Sequence, residues 1–247
     1  SCRSCVVDRR RMSFGRSRLF LLYGSRLLTD LQADWQPKDH EMSDETGINE
    51  RHKARMQKIK AARDKIMETK TVEKGLIIVL TGNGKGKSSS GFGMIFRAIG
   101  HGMPCAVVQF IKGSMQSAER DLLKAKFAEE CPVHVMGEGF TWETQDRARD
   151  IVMAEAAWEK AKELIQDERN RMILLDEINI ALRYDYLNVE AVADFLVNEK
   201  PPMTHVVLTG RSAKDVLIDV ADLVTEVKEV KHPFRSQGVI AQPGVEF

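Results

Sequence analysis

The sequence predicts an α/β fold in which helices cover both faces of a parallel sheet. Short apolar runs alternate along the chain with longer segments of helical periodicity, the order expected of strand–helix repeats. The runs are continuously apolar, as strands buried on both faces are. They lie at residues 76–80, 105–110, 132–136, 172–176 and 204–209, with a weaker run at 223–227. The helical segments lie near residues 88–100, 117–128, 146–167, 187–198 and 213–220.

A glycine-rich loop follows the first apolar run and precedes the first of these helices. The stretch Thr81–Ser88 has the sequence TGNGKGKS, with three glycines in five residues. Closely spaced glycines let backbone N–H groups approach an anion without a Cβ in the way. The first turn of the following helix adds unpaired N–H groups and a favourable dipole. We therefore expect a P-loop NTPase fold of the RecA-like type, which binds ATP together with a divalent cation.

The residues of this loop have separate predicted roles. Lys87 supplies a point charge to the outer phosphates as a catalytic group, and the Ser88 hydroxyl ligates the metal. Further contacts to the nucleotide are predicted from Gly82, Asn83, Gly84, Lys85, Gly86 and Ser89. The spacing is one residue short of G-x-x-x-x-G-K-[ST], because Thr81 stands where that pattern has glycine. The alternative is a glycine-rich turn that binds nothing.

Two acids at the end of the fourth apolar run are the predicted carboxylate ligands of the metal. Asp176 and Glu177 follow an uninterrupted apolar stretch. Acids at the carboxyl end of such a strand lie beside the phosphate loop in a doubly wound sheet. Asp176 then holds Mg²⁺ (or Mn²⁺), directly or through water, and Glu177 is the second candidate. The alternative is a strand that ends in a solvated acidic turn.

Composition indicates one globular α/β domain with extensions and argues against several classes of protein. The chain has 247 residues, of which 43% are apolar and 30% are charged. Its formal net charge of +1 provides no bulk field for nucleic acid. The four cysteines make no disulfide framework, and Cys2-x-x-Cys5 lacks the second pair of a zinc site. No run of 18 apolar residues occurs, so we expect a cytoplasmic protein without a membrane span.

The first 74 residues contain two segments that differ from the rest of the chain. Residues 1–41 are rich in Arg and Ser and poor in acids. They are either a targeting leader or, as we favour, an upstream segment outside a native domain that begins near Met42. Residues 42–74 are expected to form a helical arm, with a basic helix at 50–70 that either lies on the domain surface or forms a lid over a nucleotide site. The apolar stripe of that helix is Met56, Ile59, Ile66 and Met67. Residues 75–247 form the phosphate-loop domain.

Loops after the other strands carry the candidates for a second substrate site. Phe140 and Trp142 lie in a glycine-flanked loop after the third strand. Two large aromatic side chains there either pack on the domain or cover a large planar ligand. Lys112 follows the second strand and Arg211 follows the fifth. Each of these cations either binds a phosphate or is an ordinary surface residue.

Seven motifs occur in one order that resembles the bacterial ATP:corrinoid adenosyltransferases of the CobA/CobO/BtuR type. They are TGNGKGKS (81–88), VQFIKG (108–113), GFTWET (139–144), LDE (175–177), YDYL (184–187), LTGR (208–211) and VKH (230–232). The resemblance covers residues 48–247, and the family's phosphate loop has the same shifted spacing. Ser88 and Ser89 stand where that family usually has two threonines, and either hydroxyl type can ligate Mg²⁺.

The resemblance implies transfer of the 5′-deoxyadenosyl group of ATP to the Co(I) centre of a corrinoid, with release of triphosphate. The acceptor would be cob(I)alamin or cob(I)yrinic acid a,c-diamide. Co(I) is itself a strong nucleophile, so the protein's work is orientation and charge stabilisation rather than general-base catalysis.

The resemblance also assigns roles and partners. Phe140 and Trp142 would press on the lower face of the corrinoid and displace its axial ligand, which eases the reduction of Co(II). A reduced flavin or flavoprotein would donate the electron. The family further implies a homodimer in which the N-terminal helix of one subunit closes over the partner's site.

Two other functions stay open on the sequence alone. A RecA-like nucleic-acid motor would need a basic groove, and the near-neutral charge argues against one. A nucleotide-regulated binding module would consume no ATP at all.

Overall fold

The computed structural model describes residues 39–110, 117–136 and 146–246. The chain divides into two compact units, the first ending at Thr71 and the second beginning at Val72. None of the described helices is long and apolar enough to cross a membrane.

The first unit contains one long helix, α1 (Asp39–Met67). It begins before the predicted basic helix at 50–70, and its first residues fall inside the predicted leader at 1–41. Residues 39–49 contain neither a proline nor a β-branched run, which is compatible with a helix that begins before residue 50. Apolar side chains remain exposed on α1, among them Ile48, Met56, Ile59, Ile66 and Met67.

The second unit is built on a six-stranded sheet in which every paired strand is parallel, in the order β3-β2-β4-β5-β1-β6. Each strand lies within one residue of its predicted ends, so the predicted sheet is confirmed. The strands are β1 (Ile77–Thr81), β2 (Cys105–Gln109), β3 (Val133–Val135), β4 (Met172–Asp176), β5 (His205–Thr209) and β6 (Leu223–Glu226).

Seven described helices connect or follow these strands. The five predicted from periodicity are α2 (Lys87–Gly100), α3 (Ala118–Lys126), α4 (Arg147–Gln166), α6 (Val189–Asn198) and α7 (Asp215–Val220). The sequence did not predict the short helices α5 (Ile178–Arg183) and α8 (Pro233–Gln237). A helix of five or six residues shows only a weak helical period, although α7, which also has six residues, falls within a predicted segment. Four described helix starts have an N-cap side chain that accepts a backbone N–H, namely Ser117, Asp146, Asn188 and His232.

The helices cover both faces of the sheet, as predicted. Alternate residues of each strand point to opposite faces, so Val79 and Leu175 pack with α4 to α7 while Ile78 and Leu174 pack with α2 and α3. At Gly91 the helix α2 runs so close to β4 that an added Cβ would lie 2.7 Å from Leu174 Cδ1. This close packing holds the start of α2 near the carboxyl edge of the sheet.

All six strands end at the same edge, because they are parallel. The strand β5 lies between β1 and β4. The phosphate loop after β1 and the acids after β4 are therefore separated by the width of one strand, and Thr209 at the end of β5 lies between them.

Candidate active site

The phosphate loop requires glycine at three positions for two different reasons. Gly82 and Gly86 have φ values of +101° and +113°, which glycine adopts without a steric penalty. At Gly82 an added Cβ would also lie 2.4 Å from the carbonyl oxygen of Val227, and at Gly84 it would lie 2.8 Å from the backbone of Lys228. No atom lies within 4 Å of the corresponding position at Gly86. The segment after β6 thus packs directly against the loop, a contact that the sequence did not predict.

Lys87 and the start of α2 form the cationic part of the loop. The Lys87 side chain is 7% exposed, and its Nζ donates to the carbonyl oxygen of Gly84 at 2.7 Å. The N–H of Gly84 donates to the Val227 carbonyl oxygen at 2.8 Å, so this amide points toward the segment after β6. The helix α2 has Gly86 at its N-cap, with no capping side chain and no acid in its first turn. Such a terminus presents N–H groups to an anion.

Asp176 is fully buried at the carboxyl edge, so it is not part of a solvated acidic turn. Its Oδ1 accepts a hydrogen bond from Thr209 Oγ1 at 2.8 Å, and its Oδ2 accepts one from Gln109 Nε2 at 3.0 Å. These donors come from the strands on either side of β4. They fix the orientation of the carboxylate.

Glu177 follows with a left-handed backbone, at φ +63°. Its N–H donates to Thr209 Oγ1 at 3.0 Å. A Cβ on Gly210 would lie 3.2 Å from Glu177 Oε2, so the turn after β5 comes close to this carboxylate. A left-handed glutamate is strained, and such strain is common where a side chain is aimed at a ligand.

Two buried amide oxygens lie beside these acids without a donor in the described parts of the chain. They are Gln109 Oε1 and Asn179 Oδ1, and both residues have no exposed surface. Asn179 Nδ2 donates to the Gly210 carbonyl oxygen at 3.2 Å. An unpaired buried acceptor costs about 1–3 kcal/mol, which marks this place as one where a ligand supplies donors. The sequence prediction missed both residues; a polar side chain ending an apolar strand was the available signal for Gln109.

A polar cavity of about 510 Å³ adjoins the phosphate loop and brings Arg211 to it. The cavity is lined by Asn83, Arg211, Glu226, Lys228, Glu229 and Arg235. Glu226 pairs with Lys228 at 3.4 Å, and Glu229 pairs with Arg235 at 3.1 Å. The sequence predicted Asn83 and Arg211 but not Lys228 and Arg235, the cations after β6. These two residues are far from the phosphate loop along the chain, so no local pattern indicates that they lie beside it.

The C-terminal residues also reach the loop. Lys85 Nζ forms an ion pair with Glu246 Oε2. The hydrogen bond from Lys85 lowers the pKa of the Glu246 carboxyl. Glu246 was not predicted, since nothing local distinguishes it from a surface acid.

Three predicted site residues, Lys112, Phe140 and Trp142, lie outside the described residues. Ser88 and Ser89 lie in the first turn of α2. Within the described ranges, no three His, Cys, Asp or Glu side chains gather into a metal-binding group. That pattern is compatible with Mg²⁺ bound through one or two carboxylates and substrate phosphates.

Comparison with known proteins identifies the family. The model of the family described as ATP:corrinoid adenosyltransferase BtuR/CobO/CobP matches residues 73–247. The chain belongs to this family. A second family model, described as cob(I)alamin adenosyltransferase N terminal, matches residues 42–67 and therefore most of α1. The predicted family and enzyme class are confirmed.

Several relatives within the family match over their whole length. A corrinoid adenosyltransferase of Sinorhizobium sp is 67% identical over 215 residues, which cover 83% of this chain and 100% of the relative. The corrinoid adenosyltransferase of Pseudomonas aeruginosa is 50% identical, with the same two coverages. That of Escherichia coli K12 is 42% identical, covering 81% of this chain and 99% of the relative.

Proposed function

We propose that this enzyme transfers the 5′-deoxyadenosyl group of ATP to the Co(I) centre of a corrinoid and releases triphosphate. The observation that carries the proposal is a phosphate loop, with an uncapped helix start and a buried lysine, in a chain of the corrinoid adenosyltransferase family. In the reaction, Co(I) supplies an electron pair to C5′ of the ribose. The C5′–O bond breaks, the triphosphate leaves with that bond's electrons, and a Co(III)–carbon bond results.

The loop would bind the anionic end of ATP. Lys87 would exchange its bond to the Gly84 carbonyl oxygen for bonds to phosphate, and the N–H groups at the start of α2 would bind phosphate oxygens. Charge accumulates on the triphosphate as the C5′–O bond breaks. Fixed cations and dipoles at that position lower the barrier, since they need no reorganisation.

Ser88, Asp176 and Glu177 would hold Mg²⁺, which would supply positive charge to the phosphates. The residues fit this ion. Both oxygens of Asp176 already accept hydrogen bonds from Thr209 and Gln109, so a contact through metal-bound water suits it best. The unpaired oxygens of Gln109 and Asn179 are acceptors for such water.

Strand order supports one orientation of ATP along the carboxyl edge. The predicted corrinoid contacts, Phe140 and Trp142, follow β3, at one end of the sheet. The cavity with Arg211 adjoins the loop after β1, near the other end. Since C5′ must face the cobalt, we place the ribose toward β2 and the terminal phosphate toward Asn83 and Arg211.

The remaining partners belong to the same proposal. A reduced flavin or flavoprotein would donate one electron to convert Co(II) to Co(I), after Phe140 and Trp142 have displaced the axial ligand. The enzyme would act in the cytoplasm as a homodimer, with α1 as a lid over the partner's site. The exposed apolar side chains of α1 support the lid role.

A turnover assay with cob(I)alamin, ATP and Mg²⁺ tests the reaction. We expect adenosylcobalamin, detected by its light sensitivity, and one triphosphate for each corrinoid converted. Lys87→Ala is the control for nucleotide-dependent turnover. Release of ADP and phosphate instead would contradict the proposal, and hydrolysis stimulated by DNA would point to a nucleic-acid motor.

The role of the aromatic pair has its own test. Trp142→Ala should lower the rate from cob(II)alamin roughly 100-fold, because a misplaced corrinoid keeps its axial ligand. The rate from preformed cob(I)alamin should change much less. An equal loss in both assays would exclude axial-ligand displacement as the role of Trp142.

A further inference from the structure

The polar cavity beside the phosphate loop includes residues that the proposed reaction does not yet use. Asn83 and Arg211 have a proposed role there, whereas Lys228 and Arg235, which also line the cavity, have none. None of the six described lining residues is apolar, so the cavity suits neither an adenine ring nor a corrin ring. Its volume of about 510 Å³ and its charged lining suit a phosphate group instead.

The backbone of Lys228 is packed against the phosphate loop. A Cβ on Gly84 would lie 2.8 Å from the Lys228 carbonyl carbon. The Gly84 N–H donates to the carbonyl oxygen of the preceding residue, Val227, at 2.8 Å. On the other side, the Gly84 carbonyl oxygen accepts from Lys87 Nζ at 2.7 Å. Lys87 and Lys228 are therefore both attached to Gly84, so a second cationic residue lies beside the one that the loop itself supplies.

Arg211 is the cation of the cavity for which no described acid is an ion-pair partner. The turn that carries it is anchored on both sides. Asn179 Nδ2 donates to the Gly210 carbonyl oxygen at 3.2 Å, and the Ala213 N–H donates to Thr81 Oγ1 at 3.0 Å. Thr81 is the last residue of β1. The backbone that carries Arg211 is thus fixed directly to the start of the phosphate loop.

The other two cations are paired with acids that they can release. Lys228 pairs with Glu226 at 3.4 Å, and Arg235 pairs with Glu229 at 3.1 Å. The side chains of Lys228 and Arg235 are 75% and 74% exposed. Exposed ion pairs contribute little to stability, whereas a phosphate offers the arginine a doubly charged, bidentate partner. Three cations against two acids also leave the cavity with an excess of positive charge.

We propose that Lys228 and Arg235 make the enzyme selective for a nucleoside triphosphate over a diphosphate. Together with Arg211 they bind the terminal phosphate, which the orientation of ATP given above directs toward this cavity. A diphosphate bound to the loop in the same way ends one phosphate earlier and does not reach these side chains. The inference rests on the proposed function, because that orientation follows from the need to turn C5′ toward the cobalt.

Calorimetric titration with ATP and with ADP tests the selectivity without turnover. Each nucleotide is titrated with Mg²⁺, and without corrinoid, into the full chain. The parent should bind ATP about tenfold or more tightly than ADP. Lys228→Gln and Arg235→Gln should each raise the Kd for ATP about fivefold, since each removes a charged hydrogen bond to the terminal phosphate. The Kd for ADP should change less than about twofold, which also shows that the loop of the variant is intact.

A variant of unchanged net charge separates a lost phosphate contact from a change in charge. Arg235→Gln alone leaves Glu229 without its partner, and an unpaired acid there would repel phosphates. The double variant Glu229→Gln, Arg235→Gln removes the whole pair, and it should keep the weakened binding of ATP. Arg169→Gln is the matched control and should change neither Kd, because it breaks an exposed ion pair with Asp167 ahead of β4.

Three outcomes would overturn the inference. They are a parent that binds ATP and ADP equally, variants that lose affinity for both nucleotides equally or for neither, and a double variant that regains the ATP affinity of the parent.

Turnover with cob(I)alamin separates this inference from the proposed function. In the Lys228 and Arg235 variants the KM for ATP should rise while kcat stays close to that of the parent, because the terminal phosphate is bound equally before and during the reaction. A parent that makes no adenosylcobalamin would refute the proposed reaction. A parent that makes it, with variants that keep the full preference for ATP, would refute only the selectivity.

Discussion

The two edges of the sheet differ in what their polar side chains do. At the amino edge, Lys200 Nζ donates to three backbone carbonyl oxygens, those of Gly75, Pro201 and Thr204, at 3.0–3.1 Å. Nearby, His205 Nδ1 accepts from the N–H of Leu76 at 3.1 Å, and Asp222 Oδ2 accepts from that of Ile77 at 2.9 Å. Of the buried polar side-chain atoms described at this edge, Arg171 Nε is the exception that has no partner.

The carboxyl edge has the opposite character. Gln109 and Asn179 keep buried oxygens for which no described residue is a donor, and Glu177 and Ser212 have left-handed backbones. Satisfied polar groups stabilise the fold, whereas unsatisfied groups and strain persist where a ligand completes them. We infer from this difference that the polar groups of the amino edge stabilise the fold and that those of the carboxyl edge bind a ligand. Substitutions at the two edges should therefore affect different measurements.

The largest effect is expected from Lys87→Ala at the carboxyl edge. Loss of the loop's buried cation would remove the stabilisation that we propose for the leaving triphosphate, so kcat/KM for ATP should fall roughly a thousandfold. The fall should be equal from Co(II) and Co(I), and the free energy of unfolding should change by less than about 1 kcal/mol. Steady-state kinetics measure kcat/KM, and urea unfolding measures the free energy of unfolding. A variant that lost stability in step with activity would contradict the division between the edges.

Gly82→Ala should damage both stability and activity. The new methyl would lie 2.4 Å from the Val227 carbonyl oxygen at a φ of +101°, so we expect a loss of about 2–4 kcal/mol in the free energy of unfolding. Gly86→Ala is the matched control, because the position has a similar φ but no neighbour within 4 Å. It should lose only about 1 kcal/mol. Equal losses in the two variants would show that the segment after β6 does not constrain the loop.

Lys200→Met tests the amino edge. Three carbonyl oxygens lose their shared donor, so the free energy of unfolding should fall by about 1–3 kcal/mol. The KM for ATP and kcat should remain those of the parent enzyme, because no substrate contact is proposed at this edge. Thermal or urea unfolding measures the loss of stability, and the turnover assay measures KM and kcat. A rise in the KM for ATP without a loss of stability would contradict the claim that the amino edge serves only to stabilise the fold.

The smallest effect is expected from Glu246→Gln, which breaks the ion pair with Lys85. The pair is exposed, so the KM for ATP should rise less than about threefold. Because Lys85 lowers the pKa of Glu246 from its ordinary value of 4.5, the ionised carboxylate favours the folded state. Its contribution is complete above that ordinary value and is lost as the pH falls through the lowered pKa. The melting temperatures of the two proteins should therefore converge on acidification from pH 7, and a difference that grew instead would refute the ion pair.

Local patterns in the chain were enough to predict most of the fold and part of the site. Continuous apolar runs gave six strands within one residue of their ends, and the glycine spacing of Gly82–Gly86 gave the phosphate loop. Periodicity did not predict α5 and α8, whose helical period is weak because they are short, although it did predict the equally short α7. Nor did any local pattern indicate Asn179, which is identified only by its hydrogen bond to the Gly210 carbonyl oxygen and its unpaired oxygen.

The sequence by itself determined the strands, the phosphate loop, the acid that ends β4 and the family, because each depends on residues close together in the chain or on their order. Only the tertiary structure decided which groups meet. Asp176 takes its donors from residues 67 and 33 positions away, and Lys85 meets an acid 161 positions away. Strand order sets these neighbours, and the apolar pattern of a strand does not encode which strand lies beside it.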